Sequence, residues 1–253
     1  MKQMGKKLIF ATHNQGKVVE IKQILGEGYD VFSLKDLDVH TEIEENGTSF
    51  EENAIIKAKA ICEMTGEMVL ADDSGFEVDY LNGEPGIYSA RYLGEDTSYD
   101  IKNADLLKRC EGVPEEKRDA RFVCVIACAY PDGNVITTKG VIEGKLAHEP
   151  KGTHGFGYDP IFYLPERGCT TGELLPEEKN KISHRGIALR KMVEKLNEQA
   201  YYGRKEWRNI SFLVIHMEKM IGCMISFAKI RIRSTDYSIS VMSGMPPRNS
   251  ALW

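Results

Sequence analysis

The chain has 253 residues, 42% of them hydrophobic and 28% charged, with a formal net charge of −5. That length accommodates one well-buried domain with a smaller appendage, and the composition excludes wholesale disorder. The negative balance gives the whole molecule no electrostatic basis for stable nucleic-acid binding, although from Gly203 onward eight Lys/Arg face three Asp/Glu, +5, leaving −10 on residues 1–202.

In chain order, "KLIFA" reads as a buried strand, "THNQGK" as the turn after it, and "GKVVEIKQIL" as a helix with Val18, Ile21 and Leu25 on one face. "YDVFSL" is a second strand. "SFEENAIIKAKAICEMTG" has Ser49 and Glu52 at capping-box spacing, Ala54, Ala58, Ile61 and Cys62 as an inner face, and Gly66 as its stop. "MVLA" follows as a short apolar strand, and this strand–helix rhythm predicts an α/β layered fold with a largely buried sheet. "ARFVCVIACAY", the turn "PDGN" and "VITTKGVIEGKL" predict an antiparallel meander, with "DPIFYL" as a further strand. In "SHRGIALRKMVEKLNEQ", Ser183 caps a helix whose stripe is Ala188, Leu189, Met192, Val193 and Leu196.

The six cysteines, Cys62, Cys110, Cys124, Cys128, Cys169 and Cys223, form neither a C-x-x-C pair nor a dense framework, which points to reduced thiols in a reducing compartment. Cys124 and Cys128 fall on one strand face as packing residues. The N-terminal apolar run is too short for a signal-peptide core, and no uncharged stretch reaches membrane-spanning length. The expectation is a soluble cytoplasmic protein.

Four polar clusters fall at element junctions. In "THNQGK" (Thr12, His13, Asn14, Gln15, Gly16, Lys17), exposed N–H groups at a helix start and a lysine suit anionic oxygens, although no Walker A pattern is present and, taken alone, an ordinary turn with a solvated lysine accounts for the segment better. The carboxylates of "EIEENG", Glu42 to Gly47, complement a helix dipole or supply a magnesium ligand. In "VLADDSGFEVD", two aspartates follow an apolar run directly; adjacent residues of an extended chain point to opposite faces, so one can brace a turn while the other meets a metal or orients water in a cleft. "GTHGFGYDP" and "KISHRG" combine glycine turns at Gly152, Gly155 and Gly157 with Phe156 and Tyr158, whose faces a base could stack on, and with His184 and Arg185 at a helix start near Lys179.

Together these stretches resemble the inosine triphosphate pyrophosphatase family of house-cleaning nucleotide hydrolases, and within it the bacterial XTP/dITP diphosphatase branch. The likeness lies in "FATHNQGKVVEI", "SFEENAIIKAKA", "LADDSGFEVDYLNGEPGIYSARY", "GFGYDPIFYLP" and "EEKNKISHRGIAL", in order and spacing over roughly the first 200 residues. It implies an elongated α/β mixed-sheet fold with two lobes around a central cleft, a homodimer, and Mg²⁺-dependent hydrolysis of ITP, dITP and XTP to nucleoside monophosphate and pyrophosphate. By the same likeness Thr12 to Lys17 form the phosphate loop, Asp73 is the catalytic carboxylate and a magnesium ligand, and Asp72 supports the turn. Glu44 matches the other metal position, with Glu45 beside it not separated by spacing. Ser74, Phe156, Gly157, Tyr158, Asp159, Lys179, His184 and Arg185 match nucleotide contacts, with Phe156 stacking on the base and His184 and Arg185 near its edge. The chain thus divides into a catalytic domain, residues 1–199, and an atypical basic extension, residues 200–253, in which His216, Glu218, Lys219 and Lys229 argue against a membrane span.

Overall fold

Strand β1 (Lys6–Phe10) lies parallel between β2 (Tyr29–Ser33) and β3 (Val69–Val78), with Leu8 opposite Val31 and Phe10 opposite Leu70. β3 turns the sheet antiparallel by pairing along its length with β5 (Asp119–Ala129), which forms a long hairpin with β6 (Val135–Leu146). Short strands β7 (Phe162–Leu164) and β8 (Cys169–Thr170) extend that side, and β4 (Glu84–Pro85) pairs separately with β3. The result is the mixed α/β architecture that the strand–helix rhythm predicts. This computed structural model describes residues 6–41 and 43–198, which fall in one compact unit ending at Glu198. The extension over 200–253 lies outside the described residues. Among those described, no helix is long and apolar enough to cross a membrane.

The helices start where short polar side chains satisfy free N–H groups. Asn14 accepts from the Lys17 N–H at 3.1 Å and opens α1 (Gln15–Leu25). Ser49 accepts from the Glu52 N–H at 3.1 Å and opens α2 (Phe50–Thr65). The capping box at α2 is displaced by one residue, because the Glu52 carboxylate returns to the N–H and hydroxyl of Thr48, not to the N–H of Ser49. Gly66, in the left-handed region at φ 67°, ends α2. Ser183 ends α4 (Pro176–Ile182), accepts from the Gly186 N–H at 3.0 Å and starts α5 (184–198).

Strand alternation sends neighbouring residues to opposite faces of the sheet. On one face Ala54, Ala58, Ile61 and Cys62 of α2 pack against Ile9, Val69, Ala71, Val123 and Val125. On the other, Ile21 of α1 and Ala188, Leu189 and Met192 of α5 pack against Leu8, Phe10, Leu70, Cys124, Ile126 and Cys128. Because both faces are covered, β1, the start of β3 and β5 read as continuous apolar runs. The five described cysteines are unbonded, and Cys124 and Cys128 share one face as their spacing implies. A third cluster around Phe76, Phe122, Tyr158 and Phe162 fills the far end of the sheet.

Three segments depart from the sequence expectation. β3 does not end at "VLA": it continues through both aspartates to Val78, so the pair sits in mid-strand and there is no turn for Asp72 to support. Helix α3 (Tyr99–Arg109) was not legible because only Leu106 of its apolar residues is buried, beside Lys102 and Asn103. Strand β7 holds only the end of "DPIFYL", since Asp159–Ile161 form a 3₁₀ turn.

Gly140 of β6 sets how closely α5 approaches the sheet. A Cβ there would lie 2.1 Å from the His184 carbonyl oxygen and 2.7 Å from the Ala188 nitrogen, both backbone atoms that cannot swing aside. Gly140→Ala is therefore expected to destabilise the fold by about 1–3 kcal/mol or more, read as a lower urea midpoint. An unchanged midpoint would show that the helix start is not held against β6.

Candidate active site

The chain leaves β1 toward the cavity: the Ala11 N–H donates to the Leu70 carbonyl at 2.7 Å, which places the following loop beside the middle of β3. α1 leads from β1 to β2 on one side and α2 leads back to β3 on the other, so the strand order reverses at β1, where open α/β sheets bind ligands. A cavity of about 960 Å³ opens there. Thr12, His13, Asn14 and Lys17 line it, whereas Gln15 and Gly16 do not. Gly16 instead makes room for the Phe156 ring, which a Cβ would meet at 3.3 Å.

Asp72 points to the α1/α5 face and is 1% exposed. Lys17 Nζ lies 3.1 Å from each of its carboxylate oxygens, and Arg185 Nε lies 3.2 Å from Oδ2. The Ser74 hydroxyl donates to Oδ2 at 3.4 Å and accepts from Arg185 Nη2 at 3.1 Å. Arg185 also pairs with Glu20, and Glu20 pairs with Lys179 at 2.9 Å. Lys179 in turn meets Asp159 at 2.7 Å. Burial alone would raise the Asp72 carboxyl, but Lys17, Arg185 and Lys57 outweigh it and hold the group well below the usual carboxylate range.

Asp73 points the opposite way, toward α2, and lines the cavity. Asn53 Nδ2 donates to its Oδ2 at 3.2 Å, and Lys57 Nζ lies 3.5 Å from Oδ1. Lys57 also pairs with Glu45 at 2.9 Å. Burial pushes the Asp73 carboxyl above its ordinary value and Glu45 adds to the push, which Lys57 opposes without cancelling. Glu44 lines the cavity from an exposed position, while Glu45 shares the lysine with Asp73. Asp72 and Asp73, neighbours in sequence, thus have opposite acid–base character.

At the aromatic end, Phe156 is 36% exposed and lines the cavity, with Lys179 Nζ 4.9 Å and Arg185 Cζ 5.8 Å from its ring centroid. Tyr158 offers no free face. It is 3% exposed, stacks on Phe76 at 5.3 Å, takes the edge of Tyr99, and donates its hydroxyl to the Ser89 carbonyl at 2.7 Å. The sequence reading of two stacking rings is corrected to one, because Tyr158 is enclosed by the third core cluster. Gly155 and Gly157 have φ of 81° and 72°, and a Cβ on Gly155 would collide with the Asp159 carboxylate. Asp159 accepts from the Phe156 N–H at 2.8 Å and from the Thr171 hydroxyl at 2.9 Å, so it braces this loop from beneath. His184 stacks on Phe122 at 4.7 Å, lines the cavity, and has a buried Nδ1 without a hydrogen-bond partner among the described residues. Burial, reinforced by Arg185 and Lys179, lowers it well below its ordinary value, so the imidazole is neutral.

Sequence reading passed over Glu20, Asn53, Lys57 and Arg91. Asn53 and Lys57 stand four residues apart on the inner side of α2, a polar pair beside an otherwise apolar stripe, and that spacing was the available signal.

A lysine-bearing loop at a strand end, two acidic walls and an exposed ring define an α/β protein whose cavity suits an anionic, ring-bearing ligand. Residues 8–195 match the Ham1 family, and the chain belongs to it. It is 53% identical over 192 residues to the dITP/XTP pyrophosphatase of Desulforamulus reducens, covering 76% of this chain and 96% of that protein. It is 48% identical to the dITP/XTP pyrophosphatase of Bacillus subtilis, covering 76% and 97%. Among solved structures it resembles the Staphylococcus aureus Ham1 protein, with a TM-score of 0.70, 42% identity, and coverage of 77% of this chain and 100% of that one.

The split between the aspartates predicts opposite effects on stability. Asp72 has a lowered value, so its contribution is complete above the ordinary carboxylate range and is lost as pH falls through the value set by Lys17 and Arg185. Asp72→Asn leaves buried Arg185 and half-buried Lys17 short of a partner and is expected to cost about 3–5 kcal/mol near neutral pH. Asp73 has a raised value, so its charged form is disfavoured in the fold, and Asp73→Asn is expected to change stability by less than about 1 kcal/mol. Urea denaturation of both variants checks this, and equal losses would refute the assignment.

Proposed function

We propose that this chain hydrolyses non-standard purine nucleoside triphosphates, ITP, dITP and XTP, to the nucleoside monophosphate and pyrophosphate, keeping deaminated purines out of DNA and RNA. The observation that carries the mechanism is the raised Asp73 carboxyl on the cavity wall, backed by Lys57 and Glu45 and separated by the strand from the Lys17–Asp72 pair. In this reading Asp73 takes the proton from the water that attacks the α-phosphorus. The α–β bridging bond breaks, and Lys17 and the first turn of α1 meet the charge that develops on departing pyrophosphate.

The donor set fits magnesium. No group of three or more His, Cys, Asp or Glu ligands is present among the described residues, but Mg²⁺ binds characteristically through one or two carboxylates with substrate phosphates and waters. Asp73 and Glu45, joined by Lys57, provide two carboxylates at one point of the wall, which favours Glu45 over Glu44 as the second ligand. Bound there, the ion supplies charge neutralisation to phosphoryl oxygens.

Phe156 is the stacking platform for the base. Neutral His184, with an unpartnered ring nitrogen, supports an edge contact. Arg185 already has Glu20, Asp72 and Ser74 as partners, so it holds the wall from behind. A donor aimed at a 6-oxo group leaves adenine with donor facing donor. Cytoplasmic location and homodimeric assembly belong to the same proposal, the first supported by the unbonded thiols. So does a catalytic domain over residues 1–199 that needs nothing from 200–253.

A panel of nucleoside triphosphates with Mg²⁺, scored for pyrophosphate and orthophosphate, tests this reading. Pyrophosphate alone is expected, with ITP, dITP and XTP favoured over ATP by about 100-fold or more, and with turnover lost in EDTA. Orthophosphate as the main product would overturn it. Asp73→Asn is expected to lower turnover by about 10²- to 10⁴-fold. Because the base must be ionised and its value is raised, kcat/KM is expected to fall as pH drops through a point above the ordinary aspartate value of about 4; wild-type activity persisting unchanged below that point would exclude Asp73 as the base.

A further inference from the structure

Among the described residues, five cationic and six carboxylate side chains line the cavity. Four of the cations are already paired: Lys17 with Asp72, Lys57 with Glu45 and Asp73, Lys179 with Glu20 and Asp159, and Arg185 with Glu20 and Asp72. The fifth, Arg91, forms no ion pair with any described carboxylate. Its guanidinium lies over the Tyr88 ring, 4.9 Å from the centroid. One nitrogen reaches the Glu45 main-chain carbonyl at 3.4 Å, a long contact, and its other N–H donors have no acceptor among the described residues.

We infer that Arg91 is a substrate-binding residue that grips phosphate oxygens of the bound triphosphate, an assignment that rests on the proposed pyrophosphatase reading. A nucleoside triphosphate brings about four negative charges, and Mg²⁺ cancels two of them. The paired cations have little charge to spare, because each is matched by a carboxylate of the wall. Arg91 alone holds an uncommitted planar fork, the geometry that suits two phosphate oxygens. Its contact with the Glu45 carbonyl places it at the Glu45–Lys57–Asp73 end of the cavity, away from the Phe156–His184 end where the base is assigned. Stacking on Tyr88 keeps the guanidinium oriented, so less freedom is lost when phosphate arrives.

The competing role is a latch that only holds residues 44–46 through that carbonyl. Arg91→Gln separates the two, because glutamine keeps an N–H donor for the carbonyl and removes the charge. In the full chain with Mg²⁺, calorimetric binding of inorganic pyrophosphate is expected to weaken about 10- to 100-fold in Arg91→Gln. KM for ITP is expected to rise in parallel, and the salt dependence of kcat/KM to become shallower. Arg91→Lys should recover part of the pyrophosphate affinity. Arg167→Gln, the same charge change at an exposed site outside the cavity, should match wild type, and ligand-free melting temperatures should agree among all four proteins. Wild-type pyrophosphate affinity in Arg91→Gln would overturn the inference. So would a loss matched by a fall in melting temperature and not relieved in Arg91→Lys. If wild type released no pyrophosphate from ITP, the functional reading would fail, while the calorimetry would still decide whether Arg91 binds phosphate.

Discussion

Everything in this site depends on a carboxylate buried in the middle of a strand and neutralised from two directions. Asp72 could not remain ionised at that depth alone, since an unpaired buried charge costs several kcal/mol. Lys17 from α1 and Arg185 from α5 make its burial tolerable, and Arg185 is tied onward through Glu20, Lys179 and Asp159. The chain of alternating charges therefore fastens the start of α1, two C-terminal helical segments and the 155–159 loop to one strand. Its value lies less in net stability, which an apolar substitute of the same shape often matches, than in fixing where these elements stand.

On the opposite face the same strand presents a carboxylate whose surroundings are deliberately incomplete. Asp73 has the Asn53 amide and the Ser74 N–H as donors and a lysine that it shares with Glu45, too little to offset burial. A group left in this condition is poised to accept a proton or join a cation, which is the usual signature of function over stability. The strand's period of two keeps the fully paired and the incompletely paired aspartate apart although their Cα atoms are neighbours. Shifting β3 by one residue would exchange their roles and lose both.

The far wall works by close backbone approach and by exposure of a single ring. Gly16 admits Phe156 against the loop, Gly140 admits the start of α5 against β6, and Asp159 holds the glycine-rich turn from below. Tyr158 gives this wall rigidity by entering the core, and Phe156, two residues earlier, remains available to a ligand. Neighbouring aromatic residues thus divide into scaffold and contact much as the two aspartates do.

Local signals determined much of this protein. Apolar periodicity marked α1, α2 and α5; cap residues marked the starts of α2 and α5; "PDGN" marked the β5–β6 hairpin; and alternation required that Asp72 and Asp73 face apart. The ordered motifs also pointed to the family. Tertiary structure alone decided which partner each charge received: that Asp72 meets Lys17 and Arg185, that Glu45 and not Glu44 shares Lys57 with Asp73, that Glu20 is buried, and that Tyr158 is closed while Phe156 is open. Those outcomes join residues up to 165 positions apart. The energy of a buried charge or ring is set by what packs around it in space, and spacing along a chain carries no information about groups that only folding brings together.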